Sequence, residues 1–108
     1  MTTLTGRYSS SMLLYEVTLE TEPEHAEAVL AYLRRHIPEI FATRCFERIR
    51  FDRASPTHFR TCYQAASTAH LERYLETHAP GFRAEFQALF PSGVAVRRET
   101  WTEESWWG

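Results

Sequence analysis

The chain of 108 residues contains no lysine and no asparagine. A GC-rich coding sequence that favours arginine accounts for the first absence, and both absences exclude chemistry. Without lysine there is no Schiff base and no lysine general base. Without asparagine, one common oxyanion donor and amide orienter is missing. An excess of charge is lacking too. Twelve basic and fourteen acidic residues leave a net charge of −2, so there is no electrostatic footprint for nucleic acid or an acidic membrane. The longest apolar run, around Met12 to Tyr15, is far too short to cross a bilayer. The N-terminus shows no apolar segment followed by a small-residue cleavage site, so no signal peptide is expected and the protein is placed in the cytoplasm. The two cysteines, Cys45 and Cys62, are then expected to be free thiols.

A chain of this length fits one domain and can hold a core without disulfides. Residues 1–11 are rich in Ser and Thr, lack periodicity and are expected to form a disordered N-terminal extension, which makes Met12 a candidate natural first residue. From Met12 to Glu20 apolar and polar residues alternate, predicting a half-buried strand. Thr21 and Glu24 have capping-box spacing, and Pro23 suits a first helical turn. Helix one is predicted from about Pro23 to His36 on the stripe Ala26, Val29, Leu30, Leu33 and Ile37. Pro38 is expected to interrupt it, with a short turn continuing to Ala42. Cys45–Arg53 and Phe59–Ala66 read as strands two and three across an Ala-Ser-Pro turn. Ser67 or Thr68 caps helix two, which carries Leu71, Tyr74 and Leu75, breaks at Pro80 and resumes through Phe82, Phe86 and Leu89. Val94–Trp101 is strand four, and 104–108 form a short C-terminal tail.

The order is βαββαβ, the ferredoxin-like motif. Right-handed crossovers give an α+β sandwich with an antiparallel sheet in the order 4-1-3-2 and both helices on one face. Domain organisation is therefore a single ferredoxin-like unit over 12–103. Alternation assigns Leu13, Tyr15, Val17, Leu19, Ile49, Phe51, Phe59, Thr61 and Tyr63 to the helix-facing side. The open side receives Glu16, Thr18, Glu20, Phe46, Arg48, Arg50, Arg60, Cys62, Gln64 and one of Arg97 and Arg98. A Glu-bearing strand between Arg-bearing strands is a self-complementary array suited to pairing with a second copy.

Tyr32-Leu33-Arg34-Arg35-His36-Ile37-Pro38 and Tyr74-Leu75-Glu76-Thr77-His78-Ala79-Pro80 share the pattern Y-L-x-x-H-x-P at an offset of 42. The repeat places His36 and His78 at equivalent points near helix C-termini. Each proline frees a carbonyl one turn back, at Arg34 and Glu76, to which the histidine can donate. The other reading is that one histidine lines a ligand pocket. His78 sits squarely in the Leu71-Leu75-Phe82 stripe, and His36 nearer the helix margin. No metal is expected, since the two histidines lie far apart and no Cys or carboxylate stands beside them at ligand spacing.

The segments MLLYEVTLE (Met12–Glu20), HIPEIFATRCF (His36–Phe46) and LERYLETHAPGFR (Leu71–Arg83) resemble an uncharacterised bacterial domain-of-unknown-function family of the dimeric α+β barrel superfamily. Arg44 stands where the family pattern puts glycine. The resemblance implies ferredoxin-like protomers whose sheets pair, often with a ligand between sheet and helices. That superfamily includes cofactor-free monooxygenases, haem-degrading enzymes, muconolactone isomerase-like proteins and proteins of no known activity. The Asn-Trp-His set of the haem-degrading members cannot be carried over, because this chain has no asparagine.

Three functions remain open. The first is a homodimeric small-molecule binder without a cofactor, its candidate pocket drawn from Tyr15, His36, Tyr63, Tyr74 and His78. The second is a non-catalytic structural or protein-interaction module with a filled core. The third is a cofactor-free monooxygenase-like enzyme. A cavity above about 300 Å³ between sheet and helices favours the first. Neither thiol has a histidine and an acid at a readable spacing, so nucleophilic catalysis has no support.

Overall fold

A computed structural model describes residues 12–108 and the backbone of Arg7–Ser9. Strand β1 (Leu13–Thr21) leads through a 3-10 turn (Pro23–His25) into helix α1 (Ala26–Phe41). The hairpin β2 (Arg48–Ser55) and β3 (His58–Ala65) follows. Helix α2 (Thr68–Arg73), a π-helical turn (Tyr74–His78) and helix α3 (Ala79–Leu89) form one continuous crossover to β4 (Val94–Thr102). The sheet is antiparallel in the order β2-β3-β1-β4. Read from the other edge, this is the expected 4-1-3-2.

The register follows from burial. Tyr15 lies opposite Tyr63, Val17 opposite Thr61 and Leu19 opposite Phe59, all toward the helices. A one-residue slip would turn this whole set out to solvent. Two apolar clusters fill the space beneath the helices. Leu19, Val29, Leu30, Leu33 and Phe59 form one, and Tyr15, Ile40, Phe46, Tyr63, Leu71 and Tyr74 the other. Phe59 is fully buried, and truncating such a side chain to alanine costs about 3–5 kcal/mol. At the entry to β4, Gly93 has φ 82°, and a Cβ there would also strike the His25 imidazole.

Several local expectations are corrected. Pro38 lies inside α1 and does not interrupt it. The proline is exposed on the solvent side while Ile40 beyond it is 2 % exposed, so burial of the stripe outweighs the lost backbone bond. Thr21 does not cap the turn after β1: the N-cap position is Glu22, without a side-chain cap. The Thr21 hydroxyl is instead buried, with no hydrogen-bond partner among the described residues. Ser67 does cap α2, accepting from the His70 N–H at 3.2 Å.

The second crossover does not break at Pro80. The Ala79 N–H reaches back to the Tyr74 carbonyl, a five-residue spacing that widens the helix into a π-turn ahead of a proline with no N–H to give. Strand two begins at Arg48, not Cys45. Phe46 therefore escapes the strand's alternation and packs in the core, with ring centroids 5.2 Å from Tyr63 and 4.8 Å from Tyr74. Arg44, where glycine is the family expectation, has φ 62°; the left-handed turn is kept with an arginine in it.

Arg98 pairs with Val17 and Arg97 with Thr18, which puts Arg97 on the open face and Arg98 on the helix side. Cys45 and Cys62 are free thiols. At the termini, the backbone of Arg7–Ser9 pairs antiparallel with Ser105–Trp107, where a disordered extension and a short tail were expected. For residues 1–6, 10 and 11 that expectation lies outside the described residues. No helix among the described residues is long and apolar enough to cross a membrane.

Candidate functional site

Three tyrosines meet beneath the helices. Tyr15 and Tyr63 face each other across β1 and β3 with ring centroids 5.9 Å apart. Tyr74, turned inward by the π-turn, lies 6.2 Å from the first and 6.5 Å from the second. They border a cavity of about 70 Å³ between sheet and helices, also lined by His36, Thr61, Phe82, Arg83 and Arg98. At roughly 30 Å³ per water, it has room for about two. It falls well short of the size that sequence reasoning set as favouring a ligand pocket.

The cavity's polarity is one-sided. Arg83 donates from Nη2 to the Tyr15 hydroxyl at 2.9 Å. Burial pushes the Tyr63 phenol up to about 12 and the Tyr74 phenol up as well. Both phenols stay protonated across the physiological range, so they act as hydrogen-bond donors and not as bases. With two guanidinium groups at the exposed side, the site presents donors and positive charge to whatever enters.

Of the five expected residues, the structure brings Tyr15, His36, Tyr63 and Tyr74 to the cavity wall and leaves His78 outside it. The His78 ring packs beside Tyr74 and Phe82, with centroids 6.3 and 6.5 Å away. The two histidines are not equivalent, and their expected placements are reversed. His36 is the buried one, 6 % exposed, and His78 is half-buried in mid-helix because the crossover continues through Pro80. His36 does not turn back to a freed carbonyl either. Its Nδ1 lies 3.2 Å from the Glu39 carboxylate, and its ring stacks on Tyr32 at 4.9 Å and meets the edge of Phe82 at 4.5 Å. Sequence reasoning missed Arg83 and Arg98. Parity gave a signal for Arg98, one residue past Arg97, but the sequence alone left the choice between them open.

The open sheet face carries a shallow hollow of about 340 Å³ lined by Glu16, Thr18, Asp52, Arg60 and Arg97, among others. Arg60 donates to Asp52 Oδ2 from Nη2 at 2.9 Å and from Nε at 3.2 Å, and lies 3.8 Å from Glu16. Arg50 reaches the same Asp52 oxygen at 3.1 Å. The hydrogen bonds from Arg60 hold the Asp52 carboxyl below its ordinary range. Burial raises the Cys62 thiol in the same array, so it is a poor nucleophile near neutral pH. Leu14 and Trp101 pair on this face, and Trp101 is half exposed.

A βαββαβ chain with a polar-lined cavity under its helices and a charged face on the other side of its sheet is a ferredoxin-like α+β domain. The chain belongs to the family described as "Domain of unknown function (DUF4286)", whose model matches residues 12–104. No curated protein matches it. Among solved structures it is similar to NE2512, a protein of unknown function from Nitrosomonas europaea. That likeness has 19% identity and a TM-score of 0.66, over 87% of this chain and 92% of that one. PA3566 from Pseudomonas aeruginosa aligns at 22% identity and a TM-score of 0.62, over 85% and 95%. SnoaB, a cofactor-independent oxygenase from Streptomyces nogalater, aligns at 17% identity and a TM-score of 0.59, over 88% and 95%. At these identities the likeness establishes the shared fold and nothing of the chemistry.

Proposed function

We propose that this chain is a small-molecule-binding homodimeric domain of the cytoplasm, with its ligand site within residues 12–103. The observation that carries the proposal is the convergence of Tyr15, Tyr63 and Tyr74 with Arg83 and Arg98 on one cavity. A core that needs only filling gains nothing from placing three buried phenols around a void, because polar groups brought out of water need partners. Apolar walls with a few convergent donors are the usual make-up of a ligand site. The cavity's volume limits what enters to a group of about two or three non-hydrogen atoms. The donors and the two arginines select a ligand whose entering group is a carboxylate or another small oxyanion. No reaction is assigned: the one imidazole on the cavity wall, His36, is held against the Glu39 carboxylate, and among the described residues no activated nucleophile faces the cavity.

The open face supports the dimer. Its Glu16, Asp52, Arg60 and Arg97 array is self-complementary, and Leu14 with Trp101 adds apolar area to one edge. A second reading, a non-catalytic interaction module with a filled core, is favoured by one observation, the cavity's small volume. Thermal-shift measurements with formate, acetate and neutral acetamide at millimolar concentration separate the two. The ligand reading expects the carboxylates to raise Tm, acetamide to do so less, and Arg83→Ala or Arg98→Ala to abolish the difference. A Tm unmoved by every probe supports the filled core.

A further inference from the structure

We propose that His36, Glu39 and Glu85 bind one divalent transition-metal ion between α1 and α3. The side-chain ligand atoms of these three residues all lie within 4.8 Å of one another. His36 Nδ1 and Glu39 Oε1 are already 3.2 Å apart, one helical turn apart on α1. Two donors bound at about 2.1 Å to one ion sit roughly 3.0–3.4 Å from each other, depending on coordination geometry. The observed pair therefore has the spacing of adjacent ligands. Alone it is an ordinary side-chain contact within one helical turn; the third donor, arriving from another helix, is what makes it a site.

Preorganisation distinguishes the cluster further. The His36 ring is buried and clamped between Tyr32 and Phe82. The Tyr32 hydroxyl donates to Glu85 Oε1 at 3.1 Å, as outer-shell partners commonly orient a ligating carboxylate. Both glutamates are exposed, so their carboxylates can close the remaining distance, and solvent can complete the coordination. One neutral imidazole and two carboxylates balance the charge of a divalent ion. This mixed donor set suits Zn²⁺ or Mn²⁺ better than Mg²⁺, which prefers oxygen alone. Because His36 also lines the cavity, the ion would sit beside the cavity wall. The inference does not depend on any organic ligand binding there.

The spacing His36-x-x-Glu39 is visible in the sequence, but the expectation of no metal rested on the distance between the two histidines and on finding no Cys or carboxylate at ligand spacing beside them; the second ground is the one at issue. That premise fails for His36, since Glu39 lies one turn on and Glu85 is supplied by the fold. Calorimetric titration of the EDTA-treated, untagged full chain with Zn²⁺, and Mn²⁺ electron paramagnetic resonance, test the site. The expected result is one ion per protomer, with Glu39→Gln and Glu85→Gln each weakening affinity about tenfold or more, and Tyr32→Phe weakening it about tenfold. Both glutamates are on the surface, so these variants should fold; matched thermal melts in EDTA check that they do. His78→Gln and His58→Gln should bind as the parent does. The proposal is overturned by no saturable binding at 100 µM metal, or by binding that survives both glutamine variants. It is equally overturned by binding that His58→Gln removes, which would mark an adventitious surface site.

Discussion

Arg44→Gly should stabilise the fold, and the size of the effect can be worked from the turn it occupies. Arg44 lies just beyond α1 at φ 62°, where the Cβ of an L-residue crowds the next carbonyl at a cost of about 1–2 kcal/mol. Glycine removes that cost but adds freedom to the unfolded chain, worth roughly 0.5–1 kcal/mol against folding. The contact that locks the turn uses Arg44's backbone, since Arg73 Nη2 donates to its carbonyl at 3.0 Å. The substitution leaves that bond in place. The net gain is about 0.5–1 kcal/mol, which with a urea m-value of about 1–1.5 kcal/mol/M moves the midpoint up by roughly 0.5 M. The assay is equilibrium urea denaturation at a fixed protomer concentration, because association would otherwise contribute to the apparent stability. Arg44→Val, a β-branched residue forced into the same region, should move the midpoint down by more than glycine raises it. A glycine variant less stable than the parent with an unchanged m-value, or a valine variant equal to it, would refute the left-handed turn.

Thr21→Val should raise stability by about 1 kcal/mol, measured by thermal melts, because it removes a buried hydroxyl that has no partner among the described residues. Asp52 is held below its usual range first of all by the hydrogen bonds from Arg60. A depressed carboxyl contributes stability that is present above its unfolded value of about 3.9 and lost as pH falls through the lower folded one. Asp52→Asn should therefore flatten the acid limb of a stability-versus-pH curve, and an unchanged limb would show that the array is screened away. Arg60→Glu on the open face should leave the protomer folded and convert a dimer to monomer in sedimentation velocity; a parent that is monomeric at high micromolar concentration would contradict the pairing of sheets.

The fold was largely legible because alternation along β1 and β3 leaves one register that buries Tyr15, Leu19, Phe59 and Tyr63 together. The prolines were misread for a common reason. Pro38 and Pro80 each remove a backbone bond, and the sequence does not show that Pro38 faces solvent or that a π-turn precedes Pro80. Phe46 was misplaced by extending strand parity past the strand's start at Arg48. The tyrosines of the candidate site were visible as inward positions of strands and helix. Arg83, Arg98 and Glu85 were not, because Arg83 and Arg98 owe their place to how α3 lies over the sheet and Glu85 to how α3 lies beside α1, distances between elements that no local pattern encodes.

Titrating the isotope-labelled full chain with acetate, while following tyrosine ring and arginine Nε resonances, tests for an oxyanion-selective site under the helices. The account predicts saturable shifts at Tyr15, Tyr63 and Tyr74 and at Arg83 and Arg98, with little change at His78 and none of these shifts in Arg83→Ala. Tyrosine resonances that stay fixed at the highest acetate concentration, or shifts confined to the open-face arginines Arg60 and Arg97, would contradict such a site.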